Sequence, residues 1–287
     1  MNNSGGYKKA ILATLIASLV GCGGGGGGSS SPSSSDGSIS FQVTDGPGSD
    51  FDHVWVTIKA IAIHADDNAA KSDSNWYTST LPSPVTIDLA QLNNGALSSV
   101  LSTISLPAGT YRQIRFYLAG ADESLTDSAL AIKDTETPAQ ALQWNDQVEY
   151  TDSSGNILES PLEIAYPSQG IQFNGTFTVT AGNTLKLAVD FDLDHDVVPF
   201  NHGAVNGFTL RPNLRYFDLA QAGAIVGQVD PASLCPVDGR GVPTTNANCT
   251  FDLVVKAELL GSAGLRHYDA RATMVNPQTG KFILYPL

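Results

Sequence analysis

Leu185-Lys186-Leu187-Ala188-Val189-Asp190-Phe191-Asp192-Leu193-Asp194 changes character residue by residue. Leu185, Leu187, Val189, Phe191 and Leu193 share one parity. Lys186, Asp190, Asp192 and Asp194 share the other. A period of two belongs to a β-strand with one buried and one wet face, because successive side chains leave a strand on opposite sides. The same alternation runs through Ile39, Phe41 and Val43, set between Ser38, Ser40, Gln42 and Thr44. It recurs in Ile171, Phe173, Phe177 and Val179, set between Gln172, Asn174, Thr176 and Thr178. Ala181-Gly182-Asn183-Thr184 reads as a hairpin turn joining the last strand to Leu185.

His53–His64 carries two parities: Val54, Val56 and Ile58 on one, Ile61 and Ile63 on the other. Either a β-bulge near Lys59-Ala60 resets the register, or the strand is central and buried on both faces. Further strands are expected at 85–89, 111–118, 129–133 and 207–210, with a short helix or turn within 92–103. In the tail, 224–229, 251–259, 266–274 and 281–285 read as four more. Many short strands punctuated by Gly and Pro argue for an antiparallel sandwich.

The N-terminus carries a different signal. Lys8 and Lys9 precede Ala10–Val20, an uncharged and mostly apolar run of eleven residues. That is too short to span a bilayer as a helix and fits the apolar part of a secretory signal. Leu19-Val20-Gly21-Cys22 resembles a bacterial lipobox, so cleavage before Cys22 and acylation of its thiol are expected. Buried acyl chains contribute about 0.8 kcal/mol per methylene, enough for several chains to hold a protein at a membrane. Gly23, where an Asp would favour inner-membrane retention in bacterial lipoproteins, implies the outer membrane. Residues 22–37 are almost wholly Gly and Ser after the cysteine, a flexible tether with a reach of roughly 20 Å.

Charge is uneven. The whole chain carries −13, and loss of Lys8 and Lys9 with the leader takes it to −15. Ser38–Ala222 holds 22 acidic and 8 basic side chains, whereas Gly223–Leu287 holds five of each. This contrast argues for two units, 38–222 and 223–287. An acidic surface repels nucleic acid. Cys235 and Cys249 form an even pair in an oxidising setting and read as a disulfide, with two free thiols or half a metal site as the alternatives.

Several stretches together resemble a known family. They are Phe41-Gln42-Val43-Thr44-Asp45-Gly46-Pro47, Val54-Trp55-Val56-Thr57-Ile58, Ile87-Asp88-Leu89, Leu92-Asn93-Asn94-Gly95, Leu106–Arg115, Val189-Asp190-Phe191-Asp192 and Leu210-Arg211-Pro212. In this order they resemble an uncharacterised family of bacterial lipoproteins sharing a domain of unknown function, over roughly 38–218. The resemblance implies a membrane-anchored β-sandwich and brings no catalytic residues. Ala224–Val229 and Pro277–Phe282 resemble the prealbumin-like domain of carboxypeptidase-regulatory type. The expected fold is therefore all-β: an antiparallel, immunoglobulin- or prealbumin-like β-sandwich, then a second, smaller β-sandwich at the C-terminus.

Two groups of side chains could carry chemistry. Asp190, Asp192, Asp194 and Asp196 share one strand parity and would form an exposed row about 7 Å apart. Such a row is a solvated face that discourages edge pairing, or a calcium site completed by a loop. His195 and His202 flank it and could complete a transition-metal site; His53, His64 and His267 show no pairing pattern. Trp76 and Tyr77, beside a polar loop, could form a shelf on which a sugar stacks, or belong to the core. Tyr111 is expected to tie its hydroxyl to nearby backbone, as in a tyrosine corner. No nucleophile elbow, His-Glu-x-x-His, Cys-x-x-Cys or phosphate loop is present. The function expected is a non-enzymatic binding or adhesion module of the bacterial envelope, lipid-anchored through Cys22, with a glycan or envelope protein as ligand. The alternatives are an assembly component and a glycan-active hydrolase.

Overall fold

The computed structural model describes residues 35–46, 51–125, 132–133, 140–202, 205–230, 253–260 and 267–287. Residues Ser34–Leu287 form one compact unit. Strands β1 (Asp36–Asp45), β2 (His53–His64) and β3 (Tyr77–Asp88) come first, then a 3-10 turn at Leu89–Gln91. Next are β4 (Ser98–Pro107), β5 (Gly109–Leu118) and the short ribbon β6 (Ile132–Lys133) and β7 (Gln140–Ala141). The body continues with β8 (Gln147–Thr151), β9 (Ile157–Ile164), β10 (Ile171–Val179) and β11 (Thr184–Phe191). A single helical turn, Leu193–Asp196, leads to β12 (Val197–His202), β13 (Val205–Leu210) and β14 (Arg215–Asp218). The tail holds β15 (Ile225–Gln228), β16 (Val254–Leu260), β17 (His267–Met274) and β18 (Lys281–Leu284).

The fold is all-β and sandwich-like. One sheet has the order β14-β11-β1-β4, and the larger one β10-β5-β2-β8-β9-β13-β12, with β3 also paired to β2. The apolar parity of β1 (Ile39, Phe41 and Val43) is fully buried, as are Val54, Val56, Ile61 and Ile63 of β2 and Ile114 and Phe116 of β5. Each such side chain contributes about 1.5–3 kcal/mol through burial. The sheets are mixed, since β1 pairs with β11 and β9 with β13 in parallel.

Both readings of His53–His64 hold together. Pairing with β3 and with β5 shifts register between Ile58 and Ala60, and β2 is buried along most of its length. The shift lets both apolar parities face the core. Tyr111 Oη donates to the Pro107 carbonyl at 2.8 Å, the corner bond expected of it. The four tail strands form as two pairs, β15 with β18 and β16 with β17.

Two expectations need correction. Ala181–Thr184 turns the chain, with Gly182 at φ 73°, but it joins no hairpin. Val179 ends a strand of the larger sheet and Thr184 opens one of the smaller, so the turn crosses between layers. The turn expected within 92–103 is present at Asn93–Ala96, where the Ala96 N–H donates to the Asn93 carbonyl at 3.1 Å; the 3-10 turn at Leu89–Gln91 precedes it, and Ser98 already opens β4. Strand β1 begins at Asp36, within the expected tether, because Asp36 and Gly37 pair with Pro107 and Leu106. Residues 22–34 of the tether, Cys22 among them, and Cys235 and Cys249 lie outside the described residues.

Candidate functional site

The outer face of the larger sheet carries an open cleft of about 640 Å³. Register explains its floor. Ala60 sits opposite Thr80 on β3 and Tyr117 on β5, while Ala62 sits opposite Thr78 and Arg115. The small Ala60 on β2 leaves room, and Trp76, one residue before β3, closes one side. The half-buried indole donates from Nε1 to the Ala70 carbonyl at 2.8 Å. Arg115 stacks on the ring with its guanidinium carbon 4.9 Å from the centroid, and the His64 ring centroid lies 4.9 Å away on a tilted plane.

Arg115 is itself spent. It donates to the carbonyls of Gln169 and Ala69 and to the side-chain oxygens of Gln113 and Gln172. A buried guanidinium fixed by four acceptors cannot follow the indole if it moves, so the ring is held from behind. Lys59 and Lys71 line the cleft but are also tied, Lys59 to Glu123 at 2.6 Å and Lys71 to the Ser168 carbonyl.

Tyr77 belongs to a different place. Neighbouring residues in extended chain face opposite ways. Tyr77, 40% exposed, lines a second open cleft of about 630 Å³ with His64, Asn75 and Arg112. Its ring packs edge-on against Tyr111 at 5.7 Å. Trp76 and Tyr77 therefore form two surfaces rather than one shelf.

The aspartate row is not an exposed strand face. Asp190 closes the polar parity of β11 but is buried, at 1% exposure, beneath the C-terminal segment. Its Oδ1 accepts from Arg271 Nη1 and its Oδ2 from Arg215 Nη2 at 2.7 Å. The chain then leaves strand geometry, so the parity argument fails beyond Phe191. Asp192 precedes the helical turn and takes His195 Nδ1 at 2.9 Å, Asp194 is exposed, and Asp196 turns inward. Asp196 accepts from the backbone N–H of Asp192 at 3.1 Å and of Asn213 at 2.9 Å, which fastens the turn to the loop after β13. Among the described residues, no group of three or more His, Cys, Asp or Glu side chains is placed to hold a metal ion.

One half-buried and one fully buried polar group have environments that sequence patterning does not reveal. His53 Nδ1 lies 2.5 Å from Asp88 Oδ2 while its ring stacks on Trp55 at 4.9 Å. The partners are 35 residues apart, and only strand pairing brings them together. Asp45, also 1% exposed, accepts from the Leu193 N–H at 3.3 Å and leaves Oδ2 buried without a hydrogen bond.

The shifted carboxyls give a pH dependence of definite sign. Burial pushes Asp45 and Asp146 well up, and it lifts Asp190 against the opposing pull of Arg271 and Arg215. Burial also raises Asp196 from 3.8 to about 6, opposed by its backbone hydrogen bonds. A carboxyl with a raised folded pKa binds its proton more tightly in the folded chain, so its contribution falls as pH rises through that window. His53, raised by its hydrogen bond to Asp88, contributes fully below its ordinary 6.5 and loses that contribution as pH climbs through its folded value. The melting temperature should therefore be higher at pH 5 than at pH 8. Asp196 supplies on the order of 2 kcal/mol between about pH 4 and 6. Asp196→Asn should flatten the profile there, and a melting temperature that rises from pH 5 to pH 8 would contradict the assignment.

No curated protein and no solved structure matches the chain. A family model described as a domain of unknown function, DUF4382, matches residues 36–212, which takes in β1 to β13, the Trp76 cleft, Asp45 and Asp190 but not Arg271. On that match, the chain belongs to the DUF4382 family.

Proposed function

We propose that this chain is a lipid-anchored protein of the bacterial envelope whose sandwich binds a glycan against the face of Trp76. The observation that carries the glycan reading is the indole itself, fixed from behind by Arg115 and the Ala70 carbonyl and bordering an open cleft. A sugar ring stacks on an aromatic face, and a face that is already immobile loses little entropy on binding. Ser74, Thr78 and Thr80 line the same cleft and offer hydroxyls to a sugar's own. The anchor reading is supported by Lys8, Lys9, the apolar run and Cys22. An assembly role is the second reading, supported by Val226 and Ile283, which pair across β15 and β18 and are 70% and 38% exposed.

The full chain should bind isolated envelope polysaccharide. Trp76→Ala should weaken that binding about tenfold to a hundredfold, the loss typical of an aromatic anchor. Binding by the variant at wild-type strength would end the glycan reading. In bacterial cells expressing the full chain, Cys22→Ser should move it from the membrane to the soluble fraction, and continued membrane retention would end the anchor reading.

A further inference from the structure

Parallel pairing sets the carboxyl ends of β1 and β11 side by side, with Thr44 opposite Asp190 and Asp45 opposite Phe191. Thr44, Asp45 and Asp190 are all within 1% of full burial. What covers them comes from outside the matched family region. Arg271 of β17, 2% exposed, directs Nη1 to Asp190 Oδ1, and its Nη2 donates to Thr44 Oγ1 at 2.7 Å and to the Asp45 carbonyl at 2.9 Å. Two contacts lie alongside. The Asn94 N–H donates to Thr273 Oγ1 at 3.0 Å, and a Cβ on Gly95, at φ +75°, would lie 3.2 Å from both Ile283 and Tyr285. The receiving residues therefore lie in three of the stretches by which the chain resembles its family, around Thr44-Asp45, Asn94-Gly95 and Asp190.

We propose that Thr44, Asp45 and Asp190 form a guanidinium-binding socket for an arginine-bearing β-strand, filled in this chain by Arg271 of the 223–287 segment. Three features support recognition of the group rather than incidental contact. The acceptors are divided between the two arms of a planar fork, a carboxylate oxygen for one and a hydroxyl with a carbonyl for the other, which an ammonium cannot match. The socket is acidic: Asp190 presents a buried carboxylate, and Asp45 lies close enough for their charges to interact, so a cation in the socket relieves their repulsion. Arg271 is 2% exposed in it, so the guanidinium meets these acceptors with water shut out.

Amide exchange of the full chain tests this. In Arg271→Ala, residues 271–275 and 281–284 should exchange at least tenfold faster than in the wild type. Low-millimolar ethylguanidinium should recover at least a threefold slowing, and ethylammonium none. The rescue should vanish in the double variant Arg271→Ala, Asp190→Asn. Wild-type exchange in Arg271→Ala, equal action of the two cations, or rescue that survives loss of Asp190 would each overturn the proposal. Should Arg271→Ala fail to fold, Arg271→Lys carries the test. Its ammonium reaches fewer acceptors, so the segment should exchange faster than in the wild type, and an unchanged rate would overturn the socket.

Discussion

Asp190→Asn should lower the unfolding free energy by roughly 3–5 kcal/mol, read as a fall in the urea midpoint, because it leaves a buried guanidinium without its counter-charge. Arg271 cannot give up its proton, so the folded chain must carry the charge uncompensated. The amide also turns an N–H₂ group toward one of the two guanidinium groups that Asp190 now satisfies. Arg215 provides the contrast within the same carboxylate. Its side chain is 38% exposed, so water stands in for much of what Asp190 offers. Arg215→Gln should cost no more than about 1 kcal/mol. A loss below 1 kcal/mol for Asp190→Asn, or equal losses for the two variants, would show that burial of the Arg271 pair does not govern its energetics.

The same pair marks where sequence reading stops. Alternation correctly placed Asp190 on the polar parity of its strand and the four tail segments in strands. It cannot say whether the polar face meets water or another part of the chain. Asp190 and Arg271 are 81 residues apart, and nothing local to either announces the other. A similar limit applies to Ala181–Thr184: turn chemistry fixes that the chain reverses, whereas pairing of the flanking strands depends on which layer each joins. Local rules did reach the register shift in β2 and the Tyr111 hydroxyl bond, because one follows from parity along a single strand and the other from a partner four residues away. Of the candidate site, Trp76 was legible as an aromatic beside a polar loop. Its brace was not, since Arg115 reads as one basic residue on a half-exposed strand. Strand β8 was missed for a related reason: Gln147 and Glu149 look like surface residues but are buried, so no apolar alternation marks them.

Phe116→Ala should cost about 3–5 kcal/mol, the range for emptying a large buried aromatic site. Phe116 is fully buried on β5 and links the layers. Its ring meets Phe41 of the smaller sheet edge-on at 5.5 Å and Phe173 of β10 edge-on at 5.7 Å. Phe173 meets Phe177 at 6.1 Å, and Phe177 meets Tyr216, back on the smaller sheet, at 4.6 Å. Each favourable ring pair adds about 0.5–1.5 kcal/mol beyond its burial. Space along this line is tight, since a Cβ on Gly175 would lie 2.4 Å from Tyr216 Oη, and neighbouring backbone therefore cannot collapse freely into a void. Phe116→Leu keeps most of the volume and should cost less than half as much. The consequence reaches the proposed binding face, because Arg115, the next residue along β5, holds the Trp76 ring on the opposite side of the sheet. Amide exchange in β5 and β10 should accelerate together in Phe116→Ala, and glycan binding should weaken although no residue of the cleft has changed. An alanine variant within 1 kcal/mol of the wild type would mean that the layers are held without this line of rings.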